Sequence, residues 1–213
     1  MIEYTKDELR DLTIAFIVLV FCFAFAPSGF NLHAFISCLP IIIIGVAIGS
    51  VLHELGHKFV AMKYGCRSEF KLWPLGLLIA VASSFFGVVF ATPGTVRTYA
   101  DNLTDEIDGK IAIAGPMANM VLALIFIAIA ALMYPLKGYS IIFELMFLIC
   151  AIGFSVNSFL AAFNLFPVYS LDGTKVLKWN MGIWILIMAI SGIMVLASIS
   201  IGAENMVKLL IGV

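Results

Sequence analysis

The sequence predicts an all-α polytopic membrane protein with five to six transmembrane helices and a membrane-embedded re-entrant hairpin that could be β-structured. Hydrophobic residues fill 63% of the 213 positions and charged residues only 12%, whereas soluble domains are about half apolar and about a quarter charged. The charges lie in short clusters between neutral stretches, each long enough for the roughly 20 apolar residues of a spanning helix. These stretches are residues 12–53, 72–96, 111–136, 145–171 and 179–203.

The first neutral stretch contains two predicted spans separated by a turn. Pro, Ser, Gly and Asn at residues 27–31 favour a turn, so we expect spans at residues 12–26 and about 34–62. A basic cluster follows the second span, and cytoplasmic ends of spans carry an excess of Lys and Arg. The N-terminus and the end of the second span are therefore expected on the cytoplasmic side. The cluster consists of Lys58, Lys63, Arg67 and Lys71.

Residues 73–98 are apolar but are interrupted by two prolines and three glycines. A plain spanning helix and a re-entrant hairpin are both open interpretations. We favour the hairpin, because a full span would reverse the side of the membrane on which the later segments lie. Irregular backbone at membrane depth needs protein or a wet cavity around it, so this hairpin is expected to lie against the functional site.

The second half of the chain alternates polar connections with further spans. Residues 97–110 are polar and acidic and are expected to form a surface loop, whereas residues 204–213 form either an amphipathic tail or part of a sixth segment. The remaining spans are expected at residues 111–134, 141–166 and 182–201. No soluble appendage is apparent, so we expect one membrane domain over residues 1–213. The net charge of −1 lacks the basic footprint of a nucleic-acid-binding protein.

Residues 53–57 read His-Glu-Leu-Gly-His near the end of the second span. Side chains four residues apart on a helix lie about 6 Å apart on one face, so His53 and His57 can bind one Zn²⁺. Glu54 lies about 100° around the helix from His53, close enough to hold a water at the metal. Three ionisable groups at membrane depth are costly unless partnered. The sequence therefore predicts one zinc ion per chain, with His33 at the opposite end as an interfacial residue.

A catalytic zinc site needs a third protein ligand and an open position. Glu144, near the outer end of its span, and Asp172 are the candidates. Asp172 follows a helix that Pro167 is expected to end, and alternating spans would bring it to the same side as His57. Asp172 could also act as the N-cap of a short helix.

Three motifs occur in order along the chain: His-Glu-Leu-Gly-His at 53–57, Gly-Pro-Met-Ala-Asn at 115–119, and Asn-x-x-Pro-x-x-x-Leu-Asp-Gly at 164–173. Together they resemble the site-2 protease family of intramembrane zinc metalloproteases, over a core of about residues 43–178. The resemblance implies that His53, His57 and Asp172 bind zinc and that Glu54 is the catalytic base. It also implies a β-like hairpin between the first two motifs and places Asn164 beside the reaction centre, as an oxyanion donor.

The resemblance implies hydrolysis of a peptide bond in or near a transmembrane segment of a membrane-protein substrate, the reaction of regulated intramembrane proteolysis. The expected partners are a transmembrane protein or peptide and the lipid bilayer, and the expected location is the plasma membrane. The chain differs from the family pattern in its longer, more apolar segment between residues 71 and 115. It also has no block long enough for a PDZ or CBS regulatory domain.

Two other functions fit the same motif. A prenyl-protein-type membrane zinc endopeptidase would use a glutamate as third ligand. Glu144 and Glu204 are the candidates for it in the later part of the sequence. A non-catalytic zinc-binding or zinc-transporting membrane protein would keep the metal site alone. A transporter needs a polar path through both halves of the membrane, and a pseudoenzyme would most simply lack Glu54.

Overall fold

The computed structural model describes residues 4–90, 93–100, 103–168 and 171–212, and at residues 46 and 47 it describes the backbone alone. In chain order the elements are α1 (Lys6–Ser28), α2 (Leu32–Lys63), β1 (Arg67–Leu72), α3 (Pro74–Ser84), β2 (Gly94–Tyr99), α4 (Asp105–Met133), α5 (Ile141–Asn164), α6 (Asp172–Trp179), α7 (Met181–Ser200) and α8 (Ala203–Ile211). Within the described residues, α1, α2, α4, α5 and α7 are long and apolar enough to cross a membrane. The chain is therefore a multi-pass membrane protein, and the predicted fold class is confirmed.

The turn between α1 and α2 lies where the sequence predicted it. Gly29 ends α1 with a φ of 54°, a left-handed conformation that glycine adopts without steric cost. Asn31 then caps α2, because its side-chain oxygen accepts a hydrogen bond from the backbone N–H of Ala34. This cap satisfies one of the free N–H groups at the start of the helix.

Helix α4 lies at the centre of the bundle and packs against α2, α5 and α6. Phe126 of α4 and Phe147 and Phe154 of α5 belong to the largest buried apolar cluster. Glycines let the other helices approach closely: a Cβ at Gly56 would lie 2.8 Å from the carbonyl oxygen of Ala114 on α4. Small residues of this kind are the usual means of close helix packing in membranes.

The segment between α2 and α4 is a hairpin, as predicted, but β1 lies before the predicted range of residues 73–98, whereas β2 lies almost entirely within it. Strands β1 and β2 pair antiparallel, with Phe70 opposite Val96, while the apolar residues between them form the 11-residue helix α3. The strand β1 was hidden in the sequence because its alternating charged residues were assigned to the basic cluster. Of this predicted hairpin, residues 91 and 92 lie outside the described part of the chain.

The expected surface loop at residues 97–110 is wrong. Strand β2 continues to Tyr99 and α4 begins at Asp105. Thr104 caps α4 by accepting a hydrogen bond from the N–H of Ile107, and acids in a first turn interact favourably with the positive end of the helix dipole. The acidic residues Asp105, Glu106 and Asp108 are thus the start of a spanning helix, and Asp101 lies outside the described residues.

The start of α1 covers one edge of the hairpin. A carboxylate oxygen of Glu8 accepts from the backbone N–H of Phe70 at 3.0 Å, and one of Asp11 accepts from that of Leu72 at 3.2 Å. Glu8 is fully buried and also bonds the ammonium group of Lys58 at 2.8 Å. These contacts occupy two of the outward-facing N–H groups of β1, so the free edge of the sheet is that of β2.

The C-terminal segment is a short amphipathic helix rather than a sixth span. Helix α8 has nine residues, about 14 Å of length, which is less than half of a membrane core. Glu204 in its first turn pairs with Lys137, just beyond the end of α4, at 3.2 Å. The tail therefore packs at the end of the bundle opposite to β1 and β2.

Candidate metal centre

Helices α2 and α6 bring three predicted ligands together. His53 and His57 lie one turn apart on α2, with their Nε2 atoms 3.1 Å from each other. Each Nε2 lies 3.3 Å from Oδ2 of Asp172, the first residue of α6. Both histidines are buried. The three atoms form a nearly equilateral triangle.

Hydrogen bonds on the far side of the two imidazoles determine which ring nitrogen carries the proton and which carries the lone pair. His57 Nδ1 lies 2.8 Å from the carbonyl oxygen of Ile111, and His53 Nδ1 lies 2.6 Å from Oδ1 of Asn119. Both partners are oxygens that only accept, so each Nδ1 donates and each Nε2 carries a lone pair. The triangle thus contains three electron-rich atoms, and a proton or a cation must lie among them.

The size of the triangle and its donor set fit zinc. A tetrahedral ion about 2.0–2.2 Å from each ligand has ligand atoms about 3.3–3.5 Å apart, close to the separations found here. Two neutral imidazoles and one carboxylate are also a known ligand set of catalytic zinc. The cluster of His53, His57 and Asp172 therefore fits a single zinc site.

Asp172 is held in place by the join between α5 and α6. Leu171, not Asp172, is the residue before the first turn of α6, and the Asp172 side chain makes no cap, so the alternative of an N-cap aspartate is wrong. A Cβ at Gly173 would collide with the carbonyl oxygen of Leu165, so glycine lets α6 start against the end of α5. Burial raises the pKa of Asp172, but the adjacent imidazoles outweigh it and hold that pKa well below its usual range.

The other candidate ligands lie elsewhere. Glu144 is in the first turn of α5, and about 20 residues of helix separate it from the end that leads to Asp172, which is about 30 Å. Glu204 lies on α8 and pairs with Lys137. His33 is exposed near the start of α2. None of the three approaches the cluster.

A cavity of 60 Å³ opens beside the cluster. One water needs about 10–15 Å³ of such space, so the cavity has room for water and a reacting group. Glu54 and Asn164 both line it, as do Gly94 and Val96 of β2. The structure therefore brings together all five predicted site residues and the hairpin.

Gly115 has a role that the sequence analysis missed. A Cβ there would lie 2.6 Å from Nε2 of His53 and closer still to Nε2 of His57. The absence of a side chain leaves open the space that both imidazoles face. Glycine at the start of the second motif is thus part of the site.

Asn157 is a second residue that was missed. It is fully buried on α5, and its Oδ1 accepts from Nδ2 of Asn119 at 3.0 Å. An amide within a charge-free span is costly unless it is hydrogen-bonded. That cost was a signal in the sequence, but the partner lies on another helix and could not be read from spacing.

Comparison with known proteins agrees with this geometry. Residues 41–149 match peptidase family M50. The chain belongs to this family. It is accordingly a membrane zinc metalloprotease, and the resemblance to site-2 proteases that the three motifs carried is confirmed.

Three curated relatives come from two organisms. The chain is 41% identical over 186 residues to "Putative zinc metalloprotease MJ0611" of Methanocaldococcus jannaschii, which covers 87% of this chain and 91% of that protein. It is 29% identical over 133 residues to "Zinc metalloprotease MJ0392" of the same organism, a match that covers 62% of this chain and 31% of that protein. It is 26% identical over 159 residues to "Putative zinc metalloprotease YwhC" of Bacillus subtilis, a match that covers 67% of this chain and 70% of that protein. No solved structure matches the chain.

Proposed function

We propose that this protease hydrolyses a peptide bond in or near a transmembrane segment of a membrane-protein substrate, as in regulated intramembrane proteolysis. The depth of the metal cluster carries the proposal. His57 and His53 lie six and ten residues before the end of the spanning helix α2, which is about 9–15 Å along the helix axis. A substrate that reaches this depth is itself a membrane segment.

A single membrane domain over residues 1–213 would hold the zinc through His53, His57 and Asp172. Bound zinc supplies Lewis acidity, which lowers the pKa of a water to about 7 and polarises a carbonyl group. Ligands must be deprotonated to bind a metal, and the Nδ1 hydrogen bonds of both histidines leave each Nε2 free for that purpose. The assignment of these three ligands rests on their mutual distances and on the absence of Glu144 and Glu204 from the cluster.

Glu54 is the proposed catalytic base. Its side chain lines the same cavity as the cluster, so it can take a proton from the attacking water and return it to the leaving amine. Asn164 is the proposed oxyanion donor. Its Nδ2 donates one hydrogen to the carbonyl oxygen of Leu160, and the second hydrogen of the amide is available to a substrate oxygen in the cavity.

The free edge of β2 is the proposed docking site for the substrate backbone. Trp73 N–H donates to the carbonyl of Pro93, which makes Gly94, Val96 and Thr98 the residues whose backbone groups point away from β1. Gly94 and Val96 also line the cavity. An unwound substrate segment could add here as a third strand, displacing the Lys175 ammonium that now donates to the Val96 carbonyl.

The proposed orientation places the N-terminus and the metal centre on the cytoplasmic side of the plasma membrane. Of the twelve lysines and arginines, all of which lie in the described part of the chain, only Lys137 and Lys208 are at the opposite end of the bundle. Cytoplasmic loops carry an excess of Lys and Arg. The zinc end of the bundle is therefore the end expected to stay in the cytoplasm.

The decisive experiment is cleavage of defined membrane peptides. The full chain is co-reconstituted into lipid vesicles with synthetic single-span peptides that have charged flanks and an apolar stretch weakened by a central Asn-Pro pair. Mass spectrometry then maps each cleaved bond. We expect cuts within the apolar stretch or directly beside it, because the proposed centre lies within a spanning helix.

Two controls make the result specific. Glu54→Gln keeps the ligands and should retain zinc, but cleavage should fall by at least about 10²-fold because the base is lost. Casein, a soluble protein without an apolar span, should remain intact under the same conditions. Cleavage of casein with the span peptides untouched, or equal cleavage by Glu54→Gln, would overturn the proposal.

A further inference from the structure

We propose that Asn157 is a positioning residue that sets the zinc-binding tautomer of His53 through the side chain of Asn119. The inference rests on the proposed metal centre and concerns residues outside its ligand set. Asn157 and Asn119 are both fully buried and lie on neighbouring helices, α5 and α4. They connect the imidazole to a backbone group that has a fixed hydrogen-bonding role.

The backbone carbonyl of Gly153 determines which atom donates and which accepts in each hydrogen bond of this series. The carbonyl of Gly153 can only accept, so the group of Asn157 that bonds it at 2.8 Å is Nδ2. The Oδ1 of Asn157 then faces Nδ2 of Asn119 at 3.0 Å. That leaves Oδ1 of Asn119 to accept from Nδ1 of His53 at 2.6 Å.

Asn119 alone could not impose this direction. A primary amide has a donor end and an acceptor end of nearly the same shape, and a flipped Asn119 would present Nδ2 to the imidazole. His53 would then keep its proton on Nε2, where it blocks a metal. His57 has no such ambiguity, because its partner is the backbone carbonyl of Ile111.

The packing around Asn157 matches the role. A Cβ at Gly49, one turn before His53, would collide with Oδ1 of Asn157 and lie 3.2 Å from its Cγ. The glycine thus leaves space for the amide between α2 and α5. At Gly45, one turn earlier, the nearest atom to a Cβ would be Cα of Gly153 at an ordinary 3.7 Å.

The test measures zinc affinity of the purified full chain by competition with a chelator. Asn157→Ala should weaken zinc binding by about 10–100-fold, the usual effect of losing a partner that orients a ligand. Asn119→Asp supplies a carboxylate, whose oxygens both accept, so the tautomer of His53 no longer depends on Asn157. The double variant Asn119→Asp/Asn157→Ala should therefore bind zinc at least as tightly as Asn119→Asp alone. Its aspartate would orient His53 as the carboxylate does in carboxylate–histidine–zinc triads.

Matched controls separate positioning from simple loss of packing. Ser158 is the next residue on α5, equally buried, and its hydroxyl has no hydrogen-bond partner among the described residues, so Ser158→Ala should leave the affinity unchanged. If Asn157→Ala does not fold, Gly49→Ala displaces the same amide and should weaken binding, whereas Gly45→Ala should not.

Three results would overturn the inference. Wild-type affinity in Asn157→Ala, or a double variant as weak as Asn157→Ala, would show that the amide acts only in packing. In either case the metal centre itself would stand, because the wild type binds zinc. A wild type that binds no zinc would remove the metal centre and this inference together.

Discussion

At the scale of single residues, the imidazoles of His53 and His57 face a helix position that carries no side chain. Gly115 provides that space from α4, while Ile111 and Asn119 of the same helix hold the two Nδ1 atoms. One helix thus orients both histidines from behind and leaves room in front of them. This arrangement makes the site sensitive to the smallest added group.

Gly115→Ala is expected to lose zinc. The new methyl group would occupy the space into which both Nε2 atoms point. The affinity for zinc should therefore fall by more than about 100-fold, the upper end of the losses seen when a group that orients a metal ligand is changed. Gly192→Ala is the matched control, since a Cβ there would have no neighbour within 4 Å. Zinc content after dialysis measures the effect, and a Gly115→Ala protein with wild-type zinc would contradict this account of the glycine.

The three residues of the metal cluster could be predicted from the sequence, whereas the residues that support them could not. Two histidines four residues apart share a helix face whatever the tertiary structure, and Asp172 was recognised through its motif. Asn157 and Gly115 act across helix–helix contacts, which depend on how α2, α4 and α5 rotate about their axes. No spacing along the chain encodes that rotation.

At the scale of elements, the spanning helices were predictable and the hairpin only partly so. A run of about 20 uncharged apolar residues has few alternatives in a membrane. Strand β1 was missed because two of its residues, Arg67 and Lys71, were assigned to the basic cluster that follows α2. Its pairing with β2 is a long-range contact, and the helix α3 between the strands conceals it.

Strand β2 gives the prediction that belongs to this scale. Val96→Pro removes an N–H that points away from β1, so the ladder to β1 is kept, and proline is tolerated at such edge positions. We expect the rate of cleavage of the span peptides to fall at least tenfold, because a tenfold change corresponds to roughly the 1.4 kcal/mol of one hydrogen bond to the substrate backbone. The zinc content should be unchanged.

Val96→Ala keeps the N–H and is the control for the lost side chain, so its cleavage should stay close to that of the wild type. Peptide cleavage at equal zinc content compares the two variants. Full cleavage by Val96→Pro would show that substrate does not dock along this edge.

At the scale of the whole molecule, the composition predicts the class of protein, and the distribution of charges favours one orientation in the membrane. The basic residues and the metal cluster share one end of the bundle, and the short helix α8 lies at the other. We expect water to reach the 60 Å³ cavity from the end where the polar groups lie. We propose that one zinc ion is held at that end by His53, His57 and Asp172.

The most direct test of that claim is the zinc content of the purified wild-type chain beside Asp172→Ala and Glu144→Ala. We expect about one zinc per chain in the wild type and in Glu144→Ala, since Glu144 lies at the far end of α5. Asp172→Ala should lose the metal, because two imidazoles alone leave the site one ligand short. A wild type without zinc after reconstitution, or a full complement of zinc in Asp172→Ala, would contradict the account.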